Sequence, residues 1–151
     1  MPYRRRDEGF GSLGAFTRGM NPLSPSLMEV QKDDTSDKYM MWPIAFTEPG
    51  KESPVVPNDA KEKAGQGQWR TMRLINELEK VVAVKEFSDV SMGPVVRKAD
   101  KDLRALLDRD GLRPAELTDK SVTFAQYDAI FSMGKRRGEV WIDLANDGHP
   151  W

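Results

Sequence analysis

A chain of 151 residues, 38% apolar and 31% charged, is long enough for one domain with a modest core and too short for two full ones. Twenty-three basic against twenty-four acidic side chains leave a net charge of −1, without the basic excess that phosphate neutralisation asks of a dedicated nucleic-acid binder. The absence of cysteine excludes disulfides, thiolate catalysis, iron–sulfur clusters and cysteine zinc sites.

The chain starts with a basic cluster, Arg4 to Arg6, but no apolar h-region follows it, and no apolar run is long enough to span a bilayer. The expected setting is intracellular, in the cytoplasm or within a particle, with no membrane contact. Seven of the ten prolines (Pro2, Pro22, Pro25, Pro43, Pro49, Pro54 and Pro57) precede Asn58. That spacing disfavours long helices and central strands. Gly9, Gly11, Gly14 and Gly19 loosen the same region further. Residues 1–57 therefore read as an extended Pro/Gly-rich arm. Its one apolar island, residues 39–46, reads as a docking segment that packs either on the chain's own C-terminal domain or, through Tyr39, Met41, Trp42 and Phe46, on a partner.

Residues 58–151 read as a small helical domain ending in a short strand. Asn58 can cap a brief helical stretch that Gly65 and Gly67 end. From Gln68, the residues Leu74, Ile75, Leu78, Val81 and Val82 fall within about a third of a helical circumference. The tail Val81 to Phe87 is rich in β-branched residues and reads equally well as a strand. Pro94 to Arg109 has Pro in a first turn, Gly111 past its end, and Val96, Ala99, Leu103, Leu106 and Leu107 on one face. Thr123 to Gln126 has capping-box spacing, and Phe124, Tyr127, Ile130 and Phe131 continue it to Met133. Glu139 to Leu144 reads as a short strand closed by Asn146-Asp147-Gly148. The expected fold is mainly α: three helices, one or two short strands, and the arm. No internal repeat is visible.

Candidate chemistry is sparse. His149 is the only histidine, and no nucleophile elbow or P-loop accompanies it. Asp143, Asp147 and His149 could converge on a cation, but a turn is rich in such residues for backbone reasons. No catalytic residue, metal site or cofactor is expected, and the chain does not read as an enzyme. Trp69 lies off its apolar stripe and Trp151 is terminal, so both join the candidate protein-binding set. Lys135, Arg136 and Arg137 are candidate contacts to a nucleic-acid backbone, less favoured than protein contacts. A winged helix-turn-helix reading would place Thr123 to Met133 as the reading helix. The expected role is a non-enzymatic structural or assembly subunit of a virion, scaffold or multi-subunit machine, whose partners are other subunits or copies of itself. The alternative is a small regulator or inhibitor that binds a protein or a nucleic-acid backbone through the C-terminal domain.

Overall fold

The computed structural model describes residues 1–17, 25–32, 38–44, 64–75, 77, 79–88, 93–127 and 137–147. Their chain order is β1 (Pro2–Tyr3), α1 (Arg6–Phe16), β2 (Ser26–Gln31), β3 (Lys38–Met41), a 3-10 turn at Gly67–Trp69, β4 (Val82–Ser88), α2 (Gly93–Arg109), a 3-10 turn at Glu116–Asp119, β5 (Ser121–Gln126) and β6 (Arg137–Asp143). The strands form one six-stranded sheet in the order β1-β3-β2-β5-β6-β4. Every pairing is antiparallel.

This overturns the mainly helical expectation and the arm. The sheet contains Pro2–Tyr3, Ser26–Gln31 and Lys38–Met41, all from the region read as an extended arm, and Tyr39 and Met41 of the supposed docking segment lie in β3, paired with β1 and β2. The prolines are placed where they do no harm: Pro2 is on the edge strand, Pro25 precedes β2, and Pro43 follows β3. The glycines of α1 are equally specific. Gly9 lies so close to β3 that an added Cβ would meet Met40 Cε at 2.9 Å. Gly9, Leu13 and Phe16, at helical spacing, form the buried face of α1.

The supposed helix from Thr123 is instead β5, a central strand whose residues are nearly all buried. A strand covered on both faces loses its polar alternation, so its apolar residues match a helical period by chance. The continuous helix from Gln68 is also absent. The chain makes a 3-10 turn, and the described residues between it and β4 form no helix, leaving Ile75 73% exposed. The Val81–Phe87 ambiguity resolves as strand. Helix α2 spans Gly93–Arg109 and buries Val96, Ala99, Leu103 and Leu107, with Leu106 left 37% exposed. With residues 121–126 in a sheet, the winged helix-turn-helix reading has no recognition helix. The helical stretch expected at residues 58–64 lies almost wholly outside the described residues.

The two halves repeat one topology. β1-α1-β2-β3 and β4-α2-β5-β6 are each a strand, a helix and a hairpin, and each half pairs its first strand with its last. The halves join through six residue pairs between β2 and β5. The repeat is not visible in the sequence because the two helices share neither length nor composition: eleven glycine-rich residues against seventeen charge-rich ones.

Cross-strand register places Met40, Met28, Phe124 and Val140 in one row across four strands. All four are buried, at 0–3% exposure. Both helices lie on this face. Arg6 of α1 sits over the Phe124 ring at 5.6 Å, and the buried stripe of α2 joins the same cluster as Val140 and Ile142. The Asp100 carboxylate, 5% exposed, accepts two bonds of 3.1 Å from Arg104 Nε, while Arg104 Nη2 donates to the Thr118 carbonyl at 2.6 Å. This ties α2 to the turn that leads into β5. Among the described residues, no helix is long and apolar enough to cross a membrane.

Gly138 on β6 faces Phe87 on β4, and a Cβ there would lie 2.5 Å from Phe87 Cζ. Gly138→Ala is therefore expected to cost about 1–3 kcal/mol in chemical denaturation, the usual range for overpacking. In a Phe87→Ala background the same substitution should be nearly neutral, because the double-mutant cycle removes the clash.

Candidate functional site

Two constellations stand out from the scaffold. The first is an open cleft of about 440 Å³ beside α1, lined by Ala64, Gly65, Met72, Arg73 and Leu74. Gly65 and Gly67 adopt positive φ values of 81° and 51°, which glycine takes without strain. The chain can then fold back on itself, with Gly65 N–H donating to the Trp69 carbonyl at 3.1 Å and Met72 N–H to the same carbonyl at 2.9 Å. Trp69 meets Phe16 of α1 edge-on at 5.6 Å, which anchors the loop to the first half. Met72 is buried, Leu74 is 36% exposed, and Ile75 projects beyond them. Arg73 Nη1 donates to the carbonyls of Arg70 and Met72 at 2.8 and 2.9 Å. Its partners are neutral, so no carboxylate among the described residues cancels its charge. An apolar wall with one fixed cation suits an amphipathic ligand bearing a carboxylate.

The second constellation lies on the opposite, helix-free face of the sheet. Period-two alternation on β6 puts Arg137, Glu139 and Trp141 on that face. The Glu139 carboxylate is buried at 5% exposure and accepts three bonds: Tyr127 Oη at 2.7 Å, Trp141 Nε1 at 2.8 Å and Arg137 Nη2 at 3.0 Å. Arg137 also donates to Glu86 at 2.7 Å and lies 5.0 Å from the Tyr127 ring centre. Burial pushes the Glu139 pKa up, but the bonds from Trp141, Tyr127 and Arg137 outweigh it and hold the group below its ordinary 4.5. Tyr127 is pushed up by burial and by its bond to Glu139.

The sequence-derived candidates are scattered. Tyr39 stands 38% exposed on β3, with Met41 next to it on the same face and partly buried. Trp42 packs on Phe10 at 5.8 Å, and its buried Nε1 has no hydrogen-bond partner among the described residues. Trp69 borders the cleft loop, and Arg137 belongs to the Glu139 cluster. Phe46, Trp151, Lys135, Arg136 and His149 lie outside the described residues. Asp143 pairs with Lys80 and Asp147 with Arg113, and no group of three metal-ligating side chains occurs among the described residues. Glu139 and the cleft were both missed. The available signal for Glu139 was Arg-x-Glu-x-Trp, two donors flanking an acid at strand period. The cleft depends on two positive-φ glycines whose loop geometry no periodicity reveals.

Duplicated βαββ units in one antiparallel sheet, with both helices on one face, define a two-layer α/β protein. The family model described as SOUL heme-binding protein matches residues 3–143, and the chain belongs to that family. No curated protein and no solved structure matches it. Family membership replaces the assembly-subunit reading, together with its alternative. The supposed arm is part of the family's matched region and of the sheet itself.

Because the folded Glu139 pKa is depressed, its ionised form stabilises the fold above the ordinary carboxylate pKa, and that contribution is lost as pH falls through the folded value. The stability gap between the natural chain and Glu139→Gln, measured by denaturant titration, should be widest near about pH 7 and shrink below about pH 4.

Proposed function

We propose that the chain binds heme or a closely related tetrapyrrole in the cleft at residues 64–74, acting as a binding protein and not as an enzyme. The observation that carries this reading is family membership across residues 3–143; the cleft's chemistry supports it. A tetrapyrrole is a broad apolar plane with carboxylates at one edge. Met72, Leu74 and Ala64 offer an apolar wall, and Arg73 offers a guanidinium that backbone carbonyls hold in place. The cleft volume of about 440 Å³ falls within the roughly 300–1,000 Å³ typical of small-ligand sites.

The residues present fit such a group. Iron in heme proteins is held by histidine, cysteine, methionine or tyrosine. This chain has no cysteine and one histidine, whereas Met72 is one of the residues lining the cleft. When bound, heme supplies an iron centre whose behaviour is set by its axial ligand and by the polarity around it. The chain's own residues do the rest. Leu74 and Met72 exclude water from one face, and Arg73 orients the carboxylate edge through a charge-assisted pair.

Titration of the full chain with hemin, followed in the Soret region, tests the reading. One saturable site is expected. Arg73→Ala should weaken binding about tenfold, the size of one lost charge-assisted bond, and Leu74→Asp should weaken it further. Met72→Leu preserves packing and should shift the hemin Soret band while leaving the affinity for metal-free protoporphyrin unchanged. A band that moves only on His149→Ala would assign the iron's ligand to His149 and not to Met72. Absence of saturable binding would overturn the proposal.

A further inference from the structure

Arg73 is held from one end of its guanidinium. That group carries five N–H donors, two of them on Nη1. Arg73 Nη1 donates to the Arg70 carbonyl at 2.8 Å and to the Met72 carbonyl at 2.9 Å. Those two bonds occupy Nη1. The remaining donors lie on Nε and Nη2, along the edge that takes a carboxylate side-on through two parallel bonds. Among the described residues no acceptor is bonded to that edge, and Arg73 lines the cleft.

The two carbonyls are fixed in turn by Trp69. Its own carbonyl accepts from Gly65 N–H at 3.1 Å and from Met72 N–H at 2.9 Å, and its N–H donates to the Gln66 carbonyl at 2.8 Å. The loop is therefore closed on the Trp69 residue from both sides, with Arg70 and Met72 inside the closure. The indole meets Phe16 at 5.6 Å and 72°, and Phe16, the last residue of α1, is 6% exposed. Gly65 completes the seat: a Cβ there would stand 3.7 Å from Arg73 Nη1. Contacts thus run unbroken from the core through the indole, the Trp69 carbonyl and Met72 to Nη1. Trp69 does not line the cleft itself, so any effect it has on a ligand passes through its neighbours. We infer that Trp69 is a positioning residue that turns the Nε–Nη2 edge of Arg73 toward the ligand's carboxylate for side-on, two-bond recognition. This rests on the tetrapyrrole reading of the cleft and adds what selects the carboxylate edge.

The full chain is titrated with hemin and with hemin dimethyl ester, which keeps the apolar plane and masks the carboxylates. The natural chain should favour hemin about tenfold or more, the size of one charge-assisted pair. Trp69→Ala should cut that ratio about threefold or more, whereas Trp69→Phe, which keeps a ring against Phe16, should retain most of it. A loop that is only loosened would lose both ligands alike and leave the ratio unmoved. In an Arg73→Ala background, Trp69→Ala should not change the ratio further, because both act through one guanidinium. Arg73→Lys keeps the charge without the fork and should lower the ratio about threefold. That variant leaves Trp69 in place, so it carries the test if Trp69→Ala does not fold. In the ligand-free chain, amide hydrogen exchange at Gly65 and Met72 should quicken about tenfold in Trp69→Ala, while the fully buried Val140 keeps its rate. An unchanged ratio in Trp69→Ala, unchanged exchange at both amides, or a natural ratio in Arg73→Lys overturns the inference. If the natural chain binds neither ligand saturably, the tetrapyrrole reading falls and the inference with it. If hemin binds and the ratio ignores Trp69, the inference falls alone.

Discussion

The row Met40–Met28–Phe124–Val140 holds the molecule together. Its four side chains come from four strands and from both topological halves, and they are the layer on which α1 and α2 rest. Removing this row from water stabilises the sheet and the helices together, because both helices bury apolar residues in the same cluster. α1 illustrates the dependence. It has little amphipathic character of its own, and isolated helices of its length are marginal in water. It persists because Gly9 allows close approach to Met40 and because Leu13 and Phe16 reach the same core.

The same division of labour explains where recognition chemistry can sit. One face of the sheet is consumed by the helices. The other is free to carry polar groups, and there β6 displays Arg137, Glu139 and Trp141 while Val140 and Ile142 face inward. The cleft arises differently, from an irregular stretch between the halves that is pinned by Trp69 against Phe16. A rigid scaffold with a loop-built pocket at its side is a common arrangement for binding sites.

Sequence pattern was informative where local physics decides the structure. α2 shows a clean 3.6-residue stripe, Pro94 in its first turn, and Gly111 at φ 69° beyond its end. β6 was legible from Val140, Trp141 and Ile142. The N-terminal half was not, because β2 finds its partner in β5, roughly ninety residues on, and the signal for pairing lies in that partner. Proline density there was mistaken for a lack of structure, whereas the described prolines border strands or occupy an edge. β5 failed for the opposite reason: burial on both faces erased its alternation, and Phe124 and Tyr127 fitted a helical spacing. Glu139 shows how a functional group hides in plain sequence. A lone glutamate is unremarkable until register brings Tyr127 within 2.7 Å of it.

The topology of the duplication has one more result. Each βαββ unit is contiguous along the chain, and within the sheet the two are joined by the β2–β5 ladder alone. The covalent link between them is thus separable in principle from the noncovalent one. Two shorter polypeptides, each encoding one unit, together hold every strand partner that the intact sheet uses. Such a molecule is suited to fragment complementation, and an ancestor that was a homodimer of single units would have needed only tandem fusion to reach the present form.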